Sequence, residues 1–392
     1  MKKSMFMYPW DILDEGIGST LENIKSMGID EINLAVAYHS GKFLLPHNPK
    51  KKIYYHEGGS VYFRARMEKY PILRPVAGEA YLAFQNSNGF IEREDMLSGI
   101  IRDGRRLGIG INAWVVGFHN TRLGKLHPEY TIRNAFNENY SHGLCPAHEA
   151  NQQYVLQMIS DLADQYDLNG IILESFDYMG CLHGDHHEII GTYDRQSLEQ
   201  MLGLCFCPVC EELAARQGVD VPELKHQIKI GVDRILNQES AGNCWPPDEL
   251  DGYLKMRAGV VNDIVQKIGQ IIKRKNNAMR LYSILWLTDG ANPAYYGTVP
   301  GDLKLSIDGW IACYPATVDE IRAFIKHVKS LVSEEKLHAG LRMLAPQTIN
   351  SRQVPLYLQA YHEIGIEHVH LYNYGLMSKS SLEKIKQFNG EM

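Results

Sequence analysis

No stretch of this 392-residue chain is long and apolar enough to suggest a membrane span. No basic stripe runs through it, the net charge is -6 and the pI is about 6.2, so nucleic acid is not an expected partner. The lysines of "NPKKK", Asn48 to Lys52, read as a solvated loop face. The opening "MKKSMFMYPWD" lacks the apolar length and the small-residue cleavage site of a signal peptide, because Pro9, Trp10 and Asp11 interrupt it. These absences point to a cytoplasmic protein with no membrane partner. There is also no internal repeat, no low-complexity segment and no glycine-rich phosphate fingerprint after the first apolar run. Cysteine is scarce too, seven in all, yet three of them fall within the six residues "CFCPVC" at Cys205 to Cys210.

What is present is ordinary globular composition, 45% hydrophobic and 22% charged, in a chain long enough to bury a large core. Eight short runs rich in β-branched and aromatic residues recur along it: Met5–Trp10, Ile32–His39, Gly110–Gly117, Gly170–Phe176, Arg280–Leu287, Gly309–Tyr314, His338–Leu344 and His368–Gly375. They are continuous rather than alternating, which fits parallel strands covered on both faces. Helical patterns separate most of them. "STLENIKSMG" follows the first, with Ser19 as the expected N-cap, and "EANQQYVLQMISDLADQYDLNG" leads into the fourth, with Gly170 as the expected helix-ending glycine. Eight strand–helix repeats predict a single α/β domain over 1–392, a (β/α)8 TIM barrel. Such a barrel needs about 250 residues, so the surplus is expected in loop insertions at about 40–88 and 178–248, on the face where such barrels carry their chemistry.

Residues at the C-terminal ends of the strands are therefore the candidates. Glu174 ends the fourth run behind isoleucines and leucine, where burial disfavours ionisation and prepares a carboxyl for general acid catalysis. The structural alternative is an ion pair with Arg342. Asp177 lies on the same rim. Asp289, in "WLTDGANP", is the leading second carboxylate, and Asp11 comes next. Trp10, Trp114, Trp286, Tyr314 and Tyr372 crowd the strand ends, and flat rings with polar handles suit sugar rings. His39, His119, Asn120, Gln347 and Asn373 add polar groups to the expected substrate pocket.

The segment "CLHGDHHEI", Cys181 to Ile189, reads as a loop touching substrate rather than as a metal site. A competing reading makes His39, Glu174 and His183 or His186 the ligands of a catalytic metal, although the first strand lacks the His-x-His pair of amidohydrolase-like barrels. A third reading is a sugar-binding barrel without catalysis. Cys207 and Cys210 have the C-x2-C spacing that lets two thiolates hold one tetrahedral zinc, and Cys205 adds a third. Cys145 and Cys181 are the candidates for the fourth. Four thiolates make a closed, structural site.

The order of Glu174, Cys205, Cys207 and Cys210, with Cys145-Pro146 upstream, resembles the β-galactosidases of glycoside hydrolase family 42. The likeness runs over roughly residues 144–269. It implies a barrel with Glu174 as acid/base, a structural zinc, a carbohydrate or glycoside substrate, and Cys145 as the fourth ligand. The chain departs from that family at two points. Leu173 stands where the family has asparagine, and the seventh run, "HAGLRMLAPQT", has no carboxylate where the family has its nucleophile. The resemblance therefore does not extend to β-galactosidase activity itself. Helix faces of such a barrel are also compatible with a homo-oligomer.

Overall fold

The computed structural model describes all residues except 88–94, 184–193, 240–246, 288–291, 316, 346, 349 and 391–392. Eight parallel strands close into a barrel: β1 (Lys2–Met7), β2 (Glu31–Tyr38), β3 (Gly110–Val116), β4 (Gly170–Glu174), β5 (Arg280–Trp286), β6 (Gly309–Cys313), β7 (Leu337–Arg342) and β8 (His368–Tyr372). Each pairs with the next, and β1 closes the ring on both β8 and β2. All eight expected runs are strands, and the fold is the (β/α)8 barrel. β2 is buried along its whole length, as a strand covered by helices outside and side chains inside must be.

Helices Met96–Arg106, Glu149–Gln165, Ile321–Lys329 and Gln353–Glu363 precede β3, β4, β7 and β8, and the 27-residue helix Glu249–Lys275 precedes β5. Between β5 and β6 the chain uses a 3-10 turn, Pro293–Tyr296, and no α-helix among the described residues. The segment after β2 adds a hairpin, Gly41–Leu44 with Ile53–His56, and two short strands that extend the sheet beside β2. The segment after β4 holds the helices Arg195–Leu202, Pro208–Arg216 and Val221–Leu236.

Three local expectations are corrected. β1 begins at Lys2 and ends at Met7; Pro9 and Trp10 open a helix, Pro9–Glu15, because proline's fixed φ suits the first helical turn. Ser19 lies inside the helix Ile17–Ser26, whose N-cap is Gly16, and its hydroxyl donates back to Glu15 O and Gly16 O. Gly170 does not end a helix: the helix before it stops at Gln165, and Gly170 opens β4.

The barrel interior is apolar through most of its height and polar at the N-terminal ends of the strands. There Asn112 Nδ2 donates to Glu31 Oε2 (2.9 Å) and to Asn33 Oδ1 (3.0 Å), and Asn33 Nδ2 donates to His370 Nδ1 (2.9 Å). His370 Nε2 is then the donor to His338 Nδ1 (2.9 Å), and Ser4 Oγ meets His368 Nε2 (2.7 Å). Burial lowers the pKa of His338 to about 4 and of His368 to about 2, so these imidazoles are neutral near pH 7.

Candidate active site and cysteine cluster

At the opposite end, the C-terminal strand ends surround a cavity of about 1200 Å³. Glu174 reaches it as the last residue of β4. The strand stops there because Ser175 turns into the left-handed region (φ 55), and Gly117 and Phe118 donate their amides to Glu174 O and Ser175 O. Trp114 Nε1 donates to Glu174 Oε2 at 2.5 Å. Burial pushes the Glu174 carboxyl up from 4.5 to about 7; the indole bond acts against this rise, and the nearby Asp177 charge adds to it. An indole N–H can only donate. The carbonyl oxygen of a neutral carboxyl is the better acceptor, so the bond from Trp114 favours Oε1 as the site of the proton when Glu174 carries one. The alternative ion pair with Arg342 does not form among the described residues: Arg342 enters the same cavity, but its Nε is buried without a hydrogen-bond partner.

His39, Trp114, Trp286, Tyr314, Gln347 and Tyr372 line the cavity, together with Tyr38. The Tyr372 and Tyr38 hydroxyls both meet Tyr8 Oη, at 2.9 and 3.1 Å. His39 is a neutral ring there, because burial lowers its pKa to about 4. The hairpin contributes Lys42 and Phe43, and β7 contributes Arg342. Arg342 entered the sequence reading only as a structural partner; its signal as a site residue is its place at the end of the seventh apolar run.

Other candidates stand behind the wall. Trp10 is buried among Tyr8, Phe43, Tyr54 and His56 and does not line the cavity. Asp11 is a helix residue that accepts from Tyr8 N (3.0 Å) and packs on Gly375, where a Cβ would come within 2.1 Å of its carboxylate. Asn120 caps the helix Thr121–Leu126 by accepting from Leu123 N, and Asn373 caps the turn Tyr374–Leu376 by accepting from Gly375 N. Their side chains meet the backbone's need for caps rather than the cavity. His119 is buried, stacked on His39 (4.1 Å) and bonded to His183 (3.2 Å). Asp177 accepts from Thr298 Oγ1 (2.7 Å), and burial raises its pKa to about 6, but it does not line the cavity. Asp289 and His186 lie outside the described residues. The lining carboxylates among the described residues are Glu174 and the exposed Glu320.

Cys145, Cys205, Cys207 and Cys210, none of which lines the cavity, are all buried, with sulfurs within 4.8 Å of one another. Cys145 Sγ is 3.6, 3.7 and 3.5 Å from those of Cys205, Cys207 and Cys210. Four thiolates at about 2.3 Å from a tetrahedral zinc stand about 3.8 Å apart, so these separations fit. Cys181 instead points to Glu199 (3.1 Å). The surroundings suit an anionic centre. Arg133 N donates to Cys205 Sγ, and the wholly buried Arg257 guanidinium lies 4.1 Å over the ring of Tyr178, whose hydroxyl contacts Cys210. Arg257 Nε and Nη2 have no hydrogen-bond partners. A buried cation with idle donors is costly unless negative charge stands near it; Asp177 supplies some, and four thiolates on a metal would supply more.

The other group at metal-ligand spacing among the described residues is His338, His368 and His370, at the far end of the barrel. His39, Glu174 and His183 all border the cavity but do not form such a group.

No family model matches the sequence, and no curated protein matches it. Solved structures do share the fold. The glycoside hydrolase domain of PgaB (BpsB) from Bordetella bronchiseptica superposes with a TM-score of 0.61 at 14% identity, covering 99% of this chain and 98% of that one. The β-galactosidase of the psychrophilic Marinomonas ef1 gives 0.60 at 10% identity, with this whole chain spanning 59% of that protein. The catalytic domain of β-amylase from Paenibacillus polymyxa gives 0.54 at 10% identity, over 99% and 97% of the two chains. At these identities the likeness establishes the barrel architecture. No helix among the described residues is long and apolar enough to cross a membrane.

Proposed function

We propose that this protein is a glycoside hydrolase, or a close relative acting on a sugar-containing compound, with Glu174 as its general acid. The observation that carries the reading is a carboxyl at the end of β4, raised to about 7, anchored through one oxygen by Trp114 and lining an aromatic-walled cavity. A carboxyl held near pH 7 can still carry a proton at neutral pH and release it readily, which is what protonating a glycosidic oxygen requires. Rings such as Trp286, Tyr314 and Tyr372 would stack on the sugar faces. The neighbouring folds support the reading, since those enzymes are glycoside hydrolases, galactosidases and an amylase by name.

A second carboxylate would attack the anomeric carbon or activate water. Asp289, two positions after the cavity residue Leu287, is proposed for that role; Asp177 would act on Glu174 through its charge. Zinc held by Cys145, Cys205, Cys207 and Cys210 would brace the loop after β4 and take no part in the chemistry. The test is turnover of a panel of aryl glycosides by the wild type, Glu174→Gln and Asp289→Asn. Loss of turnover in both variants is expected. Undiminished turnover by Glu174→Gln removes Glu174 from the mechanism, and binding of sugars without turnover by the wild type replaces the enzyme with a sugar-binding barrel.

A further inference from the structure

Arg342 stands at the end of β7, where the resembled family places an acidic nucleophile. Among the described residues it forms no ion pair, and its Nε is buried with no hydrogen-bond partner. It is not spent on Glu174, whose proton affinity is set by burial, Trp114 and Asp177. Five residues on, Gln347 lines the same cavity, and its Oε1 is likewise buried without a partner. One orphan is a cationic donor and the other an acceptor. Both lie on the β7 side of a pocket whose remaining lining is largely aromatic and aliphatic. Buried polar atoms are normally paired, and two idle ones on residues that line one cavity leave hydrogen-bonding capacity that a ligand's own polar groups can take up after small side-chain turns.

We propose that this part of the cavity is a subsite for a carboxylated sugar, a hexuronic acid residue. The ring carboxylate would accept from Arg342 and a neighbouring hydroxyl would donate to Gln347 Oε1. The inference rests on the sugar-hydrolase reading above and names its substrate class. A guanidinium fork matches the planar, singly charged carboxylate. A doubly charged phosphate calls for more cationic donors than Arg342 alone, and the other lysine or arginine lining the cavity among the described residues, Lys42, lies exposed on the hairpin.

The test is calorimetric titration of the intact protein with free D-glucuronate, D-galacturonate and D-mannuronate against the three matching hexoses and their 6-phosphates. At least one hexuronate is expected to bind about tenfold or more tighter than its hexose, the scale of one charge-assisted hydrogen-bonded pair. Arg342→Gln is expected to bring that ratio to about one, and Arg342→Lys to keep part of it, since the charge remains and the fork is lost. Equal affinity of hexoses and hexuronates overturns the subsite and leaves the sugar pocket standing. Tighter binding of the 6-phosphates overturns the uronic acid class. Binding of no sugar at all overturns both the subsite and the reading beneath it. The wild-type ratio decides the matter even if an Arg342 variant fails to fold.

Discussion

Glu174 is costly to the fold whenever it is ionised, and Glu174→Gln should expose that cost. Its carboxyl titrates at about 7 in the folded protein against an ordinary 4.5, because the folded state takes it out of water. That gap is worth about 3 kcal/mol of stability. Below pH 4.5 both folded and unfolded chains hold the proton, and the penalty is absent. Between 4.5 and 7 the unfolded chain ionises first, so stability falls as pH rises. Above 7 the folded chain is ionised too and the penalty is complete. Glutamine is neutral throughout and its amide oxygen can still accept from Trp114. The variant should therefore match the wild type at pH 4 and exceed it by about 3 kcal/mol at pH 8. For a chain of 392 residues, with about 2 cal/mol/K of unfolding entropy each, this is about 4 °C in melting temperature. Melting curves of the two proteins at pH 4, 6 and 8 measure it. An advantage of equal size at every pH, or none at pH 8, would show that burial does not hold Glu174 protonated, and the acid role would lose its physical basis.

Trp114→Phe removes the donor that favours the ionised carboxyl, so the alkaline limb of kcat/KM against pH should move upward by about 1 unit or more. An unmoved limb would assign that limb to another group. Purified protein should contain one zinc per chain. Cys145→Ser or a strong chelator should remove it and lower the melting temperature, while Cys181→Ser should leave the zinc in place; elemental analysis beside melting curves tests this. Asp95→Ala should cost about 2–4 kcal/mol in a urea titration, because Asp95 caps the helix Met96–Arg106 through Ser98 N and also accepts from the buried Tyr166 hydroxyl, which alanine leaves without that partner. Ser19→Ala, inside its helix, should change stability by less than about 0.5 kcal/mol in the same urea titration.

The barrel was legible because its strands are continuous apolar runs and its helices carry strong periodicity, both of which are local properties. The four cysteines were legible because thiolate spacing is chemistry that survives ignorance of the fold, although only the resemblance chose Cys145 over Cys181. Glu174 was legible as a charge at the end of an apolar strand. Trp10, Asp11, Asn120 and Asn373 show where local reading stops. Each sits within a residue or a few of a strand end, but whether a side chain faces the cavity or caps the next turn depends on how the chain bends after the strand. Arg342 shows the converse: whether an arginine is paired is decided by residues far away in sequence, and nothing near it announces a vacancy.

The polar layer at the far end of the barrel bears on how the two ends of the chain find each other. β1 and β8 meet at the closing seam, where Ser4 is opposite His370 in register and its hydroxyl reaches His368. An all-aliphatic seam would tolerate sliding by two residues, about 6.6 Å, since such a slip keeps every side chain on its own face. Here that slip would strand the Ser4 hydroxyl, His368 and the chain from Asn112 through Asn33 to His370, at about 1–3 kcal/mol for each buried group left alone. Wrong closures are thereby made expensive without any need to make the right one especially tight. The layer works as a key cut into one end of the barrel, and the aromatic cavity at the other end is assembled only when that key fits.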